Sequence, residues 1–259
     1  MNLLIILSCL AIFLYCVATL SRFYRISGLL FVGGLAVSVH AVVLYQNIVV
    51  PSGLNLGIFT AASLMSWVIA FLLLVSLMRE PVENLAVVLF PVAALTIGLD
   101  VFFHTELILS TDNPFGVTFH ILVSIIAYSL LSISALQALF LAFQDYKLHH
   151  KHPGWVIQRL PPLQVMESLL FKMIILGFIL LTISLVSGIV FLDDIFGQHL
   201  VHKTILSIVA WVVFAVLLWG RWRSGWRGKK AILWTLSGFV VLMLAYFGSK
   251  MVLELILHR

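Results

Sequence analysis

Long apolar runs alternate with short polar connections along the whole chain. Stretches of about 20 mainly apolar residues, the length that crosses a bilayer as a helix, fall at roughly 3–20, 26–45, 58–78, 84–103, 118–143, 168–192, 202–220 and 231–257. Prolines and glycines punctuate the gaps: Pro51 and Gly53 in the second connection, Pro81 and Pro114 in the third and fourth, and Pro153, Pro161 and Pro162 in the longest. The pattern predicts an all-α, polytopic integral membrane bundle of about eight transmembrane helices, forming a single transmembrane domain over 1–259. No connection is long enough for a separate water-soluble domain.

Composition agrees. The chain of 259 residues is 63% hydrophobic and only 10% charged, whereas soluble domains keep roughly a quarter of their residues charged. A soluble enzyme is excluded on this ground, and no enzymatic activity is expected. The segment from Met1 to Leu20 has no basic leader, and Arg22 and Arg25 follow it, so it reads as a retained first helix.

The net charge of +5 is concentrated in particular connections. Arg22, Arg25, Arg79, Lys147, Lys151, Arg159, Arg221, Arg223, Arg227, Lys229 and Lys230 all fall in odd-numbered connections; Lys203 and Arg259 fall on the other side. By the positive-inside rule, odd connections are cytoplasmic and both termini lie outside, which in a bacterial inner membrane means the periplasm. Trp155, Trp219, Trp222 and Trp226 sit at the same cytoplasmic boundary, as amphipathic rings do. No basic face with interleaved aromatics is present, so membrane lipid is the expected partner and nucleic acid is not.

Two cysteines, Cys9 and Cys16, are seven apart in the first run, too far for an intrahelical bridge. They read as small packing or lipid-facing residues. No CxxCH motif occurs, so the chain is not itself a c-type cytochrome.

The nine histidines divide by topology. His149, His150 and His152 share a basic cytoplasmic connection with Lys147 and Lys151 and read as solvated. His40, His104, His120, His199, His202 and His258 instead fall toward the outer level of alternating helices. Neutral imidazoles from separate helices suit the axial positions of haem iron, and an apolar bundle supplies the surroundings a porphyrin needs. Zinc fits less well, because these ends lack a tight cysteine or carboxylate cluster. Asp100 precedes His104 by four positions and is placed to orient it; Lys250, Glu254 and His258 continue at the same spacing. Lys250, and Lys203 beside His202, are candidates for holding haem propionates. Each histidine also has an ordinary alternative, hydrogen bonding to headgroups, water or carbonyls.

The segment His120-Ile-Leu-Val-Ser-Ile-Ile-Ala-Tyr128 resembles a helix of the cytochrome c assembly superfamily, the CcsA/CcmC-like membrane proteins that handle haem at the outer face. Leu160-Pro-Pro-Leu163 with Gly177-Phe-Ile-Leu-Leu-Thr182 and Gly188 resembles its next helix. His202-Lys203-Thr-Ile-Leu-Ser-Ile-Val-Ala-Trp211, Gly225-Trp226-Arg227-Gly228 and Ala245-Tyr246-Phe247-Gly248 resemble most closely its YpjD/HemX-like branch. The tryptophan-rich WWD segment of the wider superfamily is replaced here by Asp193-Asp194-Ile-Phe-Gly-Gln-His199-Leu-Val-His202-Lys203. The resemblance implies a multi-pass inner-membrane protein that binds b-type haem non-covalently. His120 and His202 would be axial ligands, with His199 and His40 in reserve and Asp100, Lys203 and Lys250 in support. Another membrane or periplasmic cytochrome-assembly protein would be its partner.

Two other expectations compete. A cation or proton transporter would use the outer histidines and Asp100, continued inward by Glu167 and Lys172. An accessory scaffold subunit would need none of them, packing instead through small-residue patches such as Gly33-Gly34.

Overall fold

In lipid, each backbone N–H and C=O must be satisfied within its own segment, so apolar runs of this length fold as helices. The computed structural model describes residues 2–24, 28–50, 53–78, 80, 82–103, 108–109, 114–149, 161–191 and 201–248. Among them are eight helices long and apolar enough to span a membrane: α1 Asn2–Phe23, α2 Leu29–Ile48, α3 Ile58–Leu77, α4 Ala86–Phe102, α5 Pro114–His149, α6 Leu163–Phe191, α7 Val201–Ser224 and α8 Lys229–Met243. The protein is an all-α polytopic membrane bundle.

The chain divides into two compact units, Met1–Asp112 and Asn113–Arg259. In the first, α1 packs against α2 and α4, and α3 against α2 and α4, closing a four-helix ring. A small antiparallel sheet accompanies it, with β1 Val49–Val50, β2 Gly53–Asn55 and β3 Ile108–Leu109 in the order β1-β2-β3. Val49 pairs with Leu54, and Leu54 in turn with Leu109. The interior is filled by Tyr15, Phe90, Leu73 and Ile97, all fully buried. Arg22 at the end of α1 ties to the start of α4, donating to Asn84 Oδ1 at 2.7 Å and pairing with Glu83 at 3.1 Å.

In the second unit, α5 packs on α6 and α8, and α7 on α6 and α8, closing another ring. Its α5 has 36 residues, about 54 Å at 1.5 Å per residue, well beyond a hydrocarbon core of ~30 Å. Hydropathy marked only the part that crosses, about 118–143. The polar continuation through Asp145, Lys147 and His149 stays helical outside it. The α5–α6 contact is close because Gly177 faces Leu131: a Cβ there would lie 2.8 Å from Leu131 Cδ2. After α8 the backbone widens into a π-helical turn, Leu244–Gly248, a geometry often found at functional positions.

Cys9 and Cys16 are free thiols on the exposed surface of α1, as small lipid-facing residues.

Candidate functional site

A cavity of about 310 Å³ opens within the second unit, inside the ~300–1,000 Å³ range of cofactor and ligand sites. It lies toward one end of the ring: His120, Ser124 and Tyr128 come from the beginning of α5, and Ser184, Gly188 and Ile189 from the end of α6. Lys203, Ser207 and Trp211 come from the beginning of α7, and Tyr246 from the π-helical turn. Helices of alternating direction thus bring sequence-distant residues of the second unit to one level.

The His120 ring is held by one edge. Its Nδ1 lies 3.0 Å from the Ser184 carbonyl oxygen and 3.1 Å from Ser187 Oγ. A carbonyl only accepts, so Nδ1 carries the proton and donates it. Ser187 Oγ–H itself donates to the Ser184 carbonyl at 2.9 Å, which leaves its oxygen lone pairs turned to the imidazole. With the proton fixed on Nδ1, Nε2 keeps its lone pair, the form in which imidazole ligates a metal. A second chain steadies the same turn: Ser124 donates to the His120 carbonyl at 2.6 Å and shares a 2.6 Å bond with Ser184 Oγ.

The remaining walls are aromatic and apolar. Trp211 stacks on Phe178 with centroids 5.4 Å apart and donates its indole N–H to Thr182 Oγ1 at 2.9 Å, so the ring plane is fixed. Tyr128 and Tyr246 pack at 5.6 Å, and the Tyr128 hydroxyl lies 3.3 Å from Ser207 Oγ. The Lys203 ammonium sits 5.1 Å from the centre of the Tyr246 ring. A neutral donor nitrogen, a flat aromatic wall and a cation therefore border one largely apolar space. No group of three or more His, Cys, Asp or Glu side chains suited to a metal ion occurs among the described residues. A lone imidazole suits a metal that brings most of its own ligands, as iron does in a porphyrin.

The other predicted residues fall elsewhere. His40 belongs to the first unit and is fully buried. Its Nδ1 lies 3.2 Å from the Tyr15 hydroxyl and its Nε2 3.0 Å from Ser63 Oγ, so both nitrogens are engaged. As placed, it is a satisfied core residue with no lone pair to offer iron, which corrects its standing as a reserve ligand. The Asp100 carboxylate accepts from Asn47 Nδ2 and Thr60 Oγ1, both at 2.8 Å; its expected partner His104 lies outside the described residues. So do His150, His152, His199, Lys250, Glu254 and His258. His202 is in the first turn of α7. Its side chain lies outside those described, while positions 203, 204, 207, 208 and 211 of α7 line the cavity. His149 is exposed and pairs with Asp145 at 3.4 Å.

Glu167, a stepping stone in the transporter expectation, instead accepts from Arg221 and Arg227. Sequence reasoning missed Ser184 and Ser187. Their spacing of three puts them on one face of α6, but only the facing helix shows what they hold.

A membrane-spanning helical bundle with a histidine-bordered cavity in one of its two rings is thus the class defined by fold and site. Comparison with known proteins narrows it. The family described as Cytochrome C assembly protein matches residues 29–257, and the chain belongs to that family. It is 35% identical over 224 residues to the inner membrane protein YpjD of Escherichia coli K12, covering 86% of this chain and 85% of that protein. It is 33% identical over 101 residues to the cytochrome c biogenesis protein CcsA of Gloeothece citriformis, 38% of this chain and 31% of that one. A 28.8 kDa protein of Azospirillum brasilense is 34% identical over 140 residues, covering 53% of this chain and 52% of its own length. No solved structure matches. The chain is a YpjD-like member of the cytochrome c assembly family.

Proposed function

We propose that this chain is a bacterial inner-membrane haem-handling protein that binds b-type haem non-covalently in the cavity of its second unit, with His120 Nε2 as an axial ligand. The carrying observation is the His120 ring, its Nδ1–H spent on the Ser184 carbonyl and its body bordering a cavity of about 310 Å³. Ser184 and Ser187 hold the imidazole in its ligating tautomer. Trp211, fixed by Thr182 and Phe178, offers a flat wall for a planar macrocycle, and Lys203 offers a cation for a carboxylate side chain. The bound iron would supply the redox and ligand-exchange chemistry of haem; the protein itself binds, orients and shields.

The relatives named for the inner membrane and for cytochrome c biogenesis support this reading. The distribution of basic residues along the sequence supports a periplasmic orientation for the cavity end of the second unit. The work is binding, transfer or sensing of haem with another membrane or periplasmic assembly protein, without covalent catalysis. His199 and His202 are the candidates for a second ligand position.

The test is spectroscopic. Purified in mild detergent and mixed with haem, the wild type should give a Soret band and a sharp reduced-minus-oxidised difference spectrum. His120→Ala should lower haem affinity by about 10–100-fold, and His199→Ala and His202→Ala should show which of them alters the spectrum. Absence of any Soret band from the wild type after haem addition overturns the proposal.

A further inference from the structure

We propose that the turn between α7 and α8 is a binding site for the phosphate headgroup of an anionic phospholipid. The site lies at the opposite end of the second unit from the cavity and does not rest on the haem reading.

Residues 219–230 read Trp-Gly-Arg-Trp-Arg-Ser-Gly-Trp-Arg-Gly-Lys-Lys, with five basic residues and no acidic one. The turn is built rather than loose. Gly225 and Gly228 adopt φ of +63° and +53°, which other residues rarely do, and between them the chain folds back on α7. The Trp226 N–H donates to the Gly220 carbonyl at 3.2 Å. The Trp226 indole covers Gly220 so closely that a Cβ there would lie 2.4 Å from it.

One carboxylate holds the basic groups, and it is outnumbered. Glu167 Oε1 accepts from Arg221 Nη1 at 2.8 Å and from Arg227 Nε at 2.9 Å. Arg221 is further fixed by the Trp226 carbonyl at 3.1 Å and by the Phe171 ring 4.4 Å away. Two guanidiniums on one carboxylate leave a surplus positive charge. Arg227 is tethered to Glu167 through Nε, and its side chain remains 60% exposed. Arg223, Lys229 and Lys230, all exposed, lie within four positions of it in the chain. Among the described residues the ion pairs of this turn are the two to Glu167.

Position selects the anion. The turn joins two candidate spans, Lys203–Ser224 and Lys229–Tyr246, so it sits at a membrane surface. Trp219 and Trp222 lie exposed at the end of α7, the depth where indoles mark the headgroup layer. A guanidinium fork with neighbouring ammoniums suits a phosphate, and at that depth the abundant phosphate is a lipid's. A soluble phosphate compound shares the chemistry without the anchoring acyl chains.

The experiment uses the full chain in a non-ionic detergent, with phosphatidylglycerol or phosphatidylcholine added and retained lipid counted by native mass spectrometry. Wild type should retain phosphatidylglycerol about 5-fold or more over phosphatidylcholine. The triple variant Arg223→Gln/Lys229→Gln/Lys230→Gln should lose most of that preference, while Lys229→Arg/Lys230→Arg keeps it and Lys147→Gln leaves it unchanged. Equal retention of both lipids, or full preference in the triple variant, overturns the proposal. Displacement of the lipid by millimolar inorganic phosphate also overturns it, by reassigning the site to a soluble anion.

Discussion

His40 and His120 each sit in a four-helix ring, within an apolar span and facing serine hydroxyls, yet the rings use them differently. In the first unit Tyr15 and Ser63 occupy both nitrogens of the fully buried His40. In the second unit the described hydrogen bonds of the His120 ring all fall on Nδ1, and a cavity takes the place of further packing. One ring has made its imidazole part of the core. The other has fixed an imidazole by one edge, which is how a protein presents a ligand. The lesson is that a histidine's role in a membrane bundle depends on which nitrogen its neighbours leave available.

The sharpest way to break this contrast is to remove each ring in turn. His120→Ala should cut haem affinity by about 10–100-fold with little loss of folding stability. His40→Ala should leave haem binding intact but destabilise the protein by about 2–4 kcal/mol, since it opens a void and strands two buried hydroxyls. Haem titration and thermal unfolding in the same detergent read both effects. If His40→Ala abolishes haem binding while His120→Ala does not, the two units have been assigned the wrong way round.

Packing gives a smaller effect. Gly177→Ala pushes a methyl to 2.8 Å from Leu131 Cδ2 and should cost about 1–3 kcal/mol through overpacking of α5 on α6. Gly34→Ala in the first unit meets nothing within 4 Å and should be neutral. Unfolding midpoints that fall equally in both variants would contradict the close approach of α5 and α6.

The smallest expected change tests the support of the ligand. Ser187→Ala removes one acceptor from Nδ1 but leaves the Ser184 carbonyl, so haem affinity should drop by roughly 10-fold at most. A shift in the reduced-minus-oxidised spectrum should accompany it. A loss as large as that of His120→Ala would mean that Ser187 does more than steady the ring.

The eight spans were legible because hydrocarbon imposes a length and a polarity on whatever crosses it. The ends of α5 were not, because a helix continues past the bilayer once its backbone bonds are running, and Asp145 and Lys147 carry no apolar signal. His120 and Lys203, which border the cavity, stood out from their level in the chain and the family pattern, whereas Trp211 stood only within the resembling segment. The pattern could not separate His40 from His120. Both are single imidazoles in apolar helices, and the difference lies in what faces them: Tyr15 and Ser63 for one, Ser184 and Ser187 for the other. These partners are 25, 23, 64 and 67 positions away, so no local periodicity reveals them. Glu167 misled for the same reason; an acidic residue inside α6 reads as part of a path until Arg221 and Arg227 are seen closing on it.

In the proposed site the Nε2 lone pair of His120, whose ring the Ser184 carbonyl holds through Nδ1, grips iron. Chemical rescue tests it most directly: haem is titrated into His120→Gly with and without free imidazole, and the Soret band is followed. The band should form only at higher haem concentration in the variant, and should strengthen when imidazole enters the vacated space. A His120→Gly protein that binds haem like the wild type, with no response to imidazole, would contradict the account.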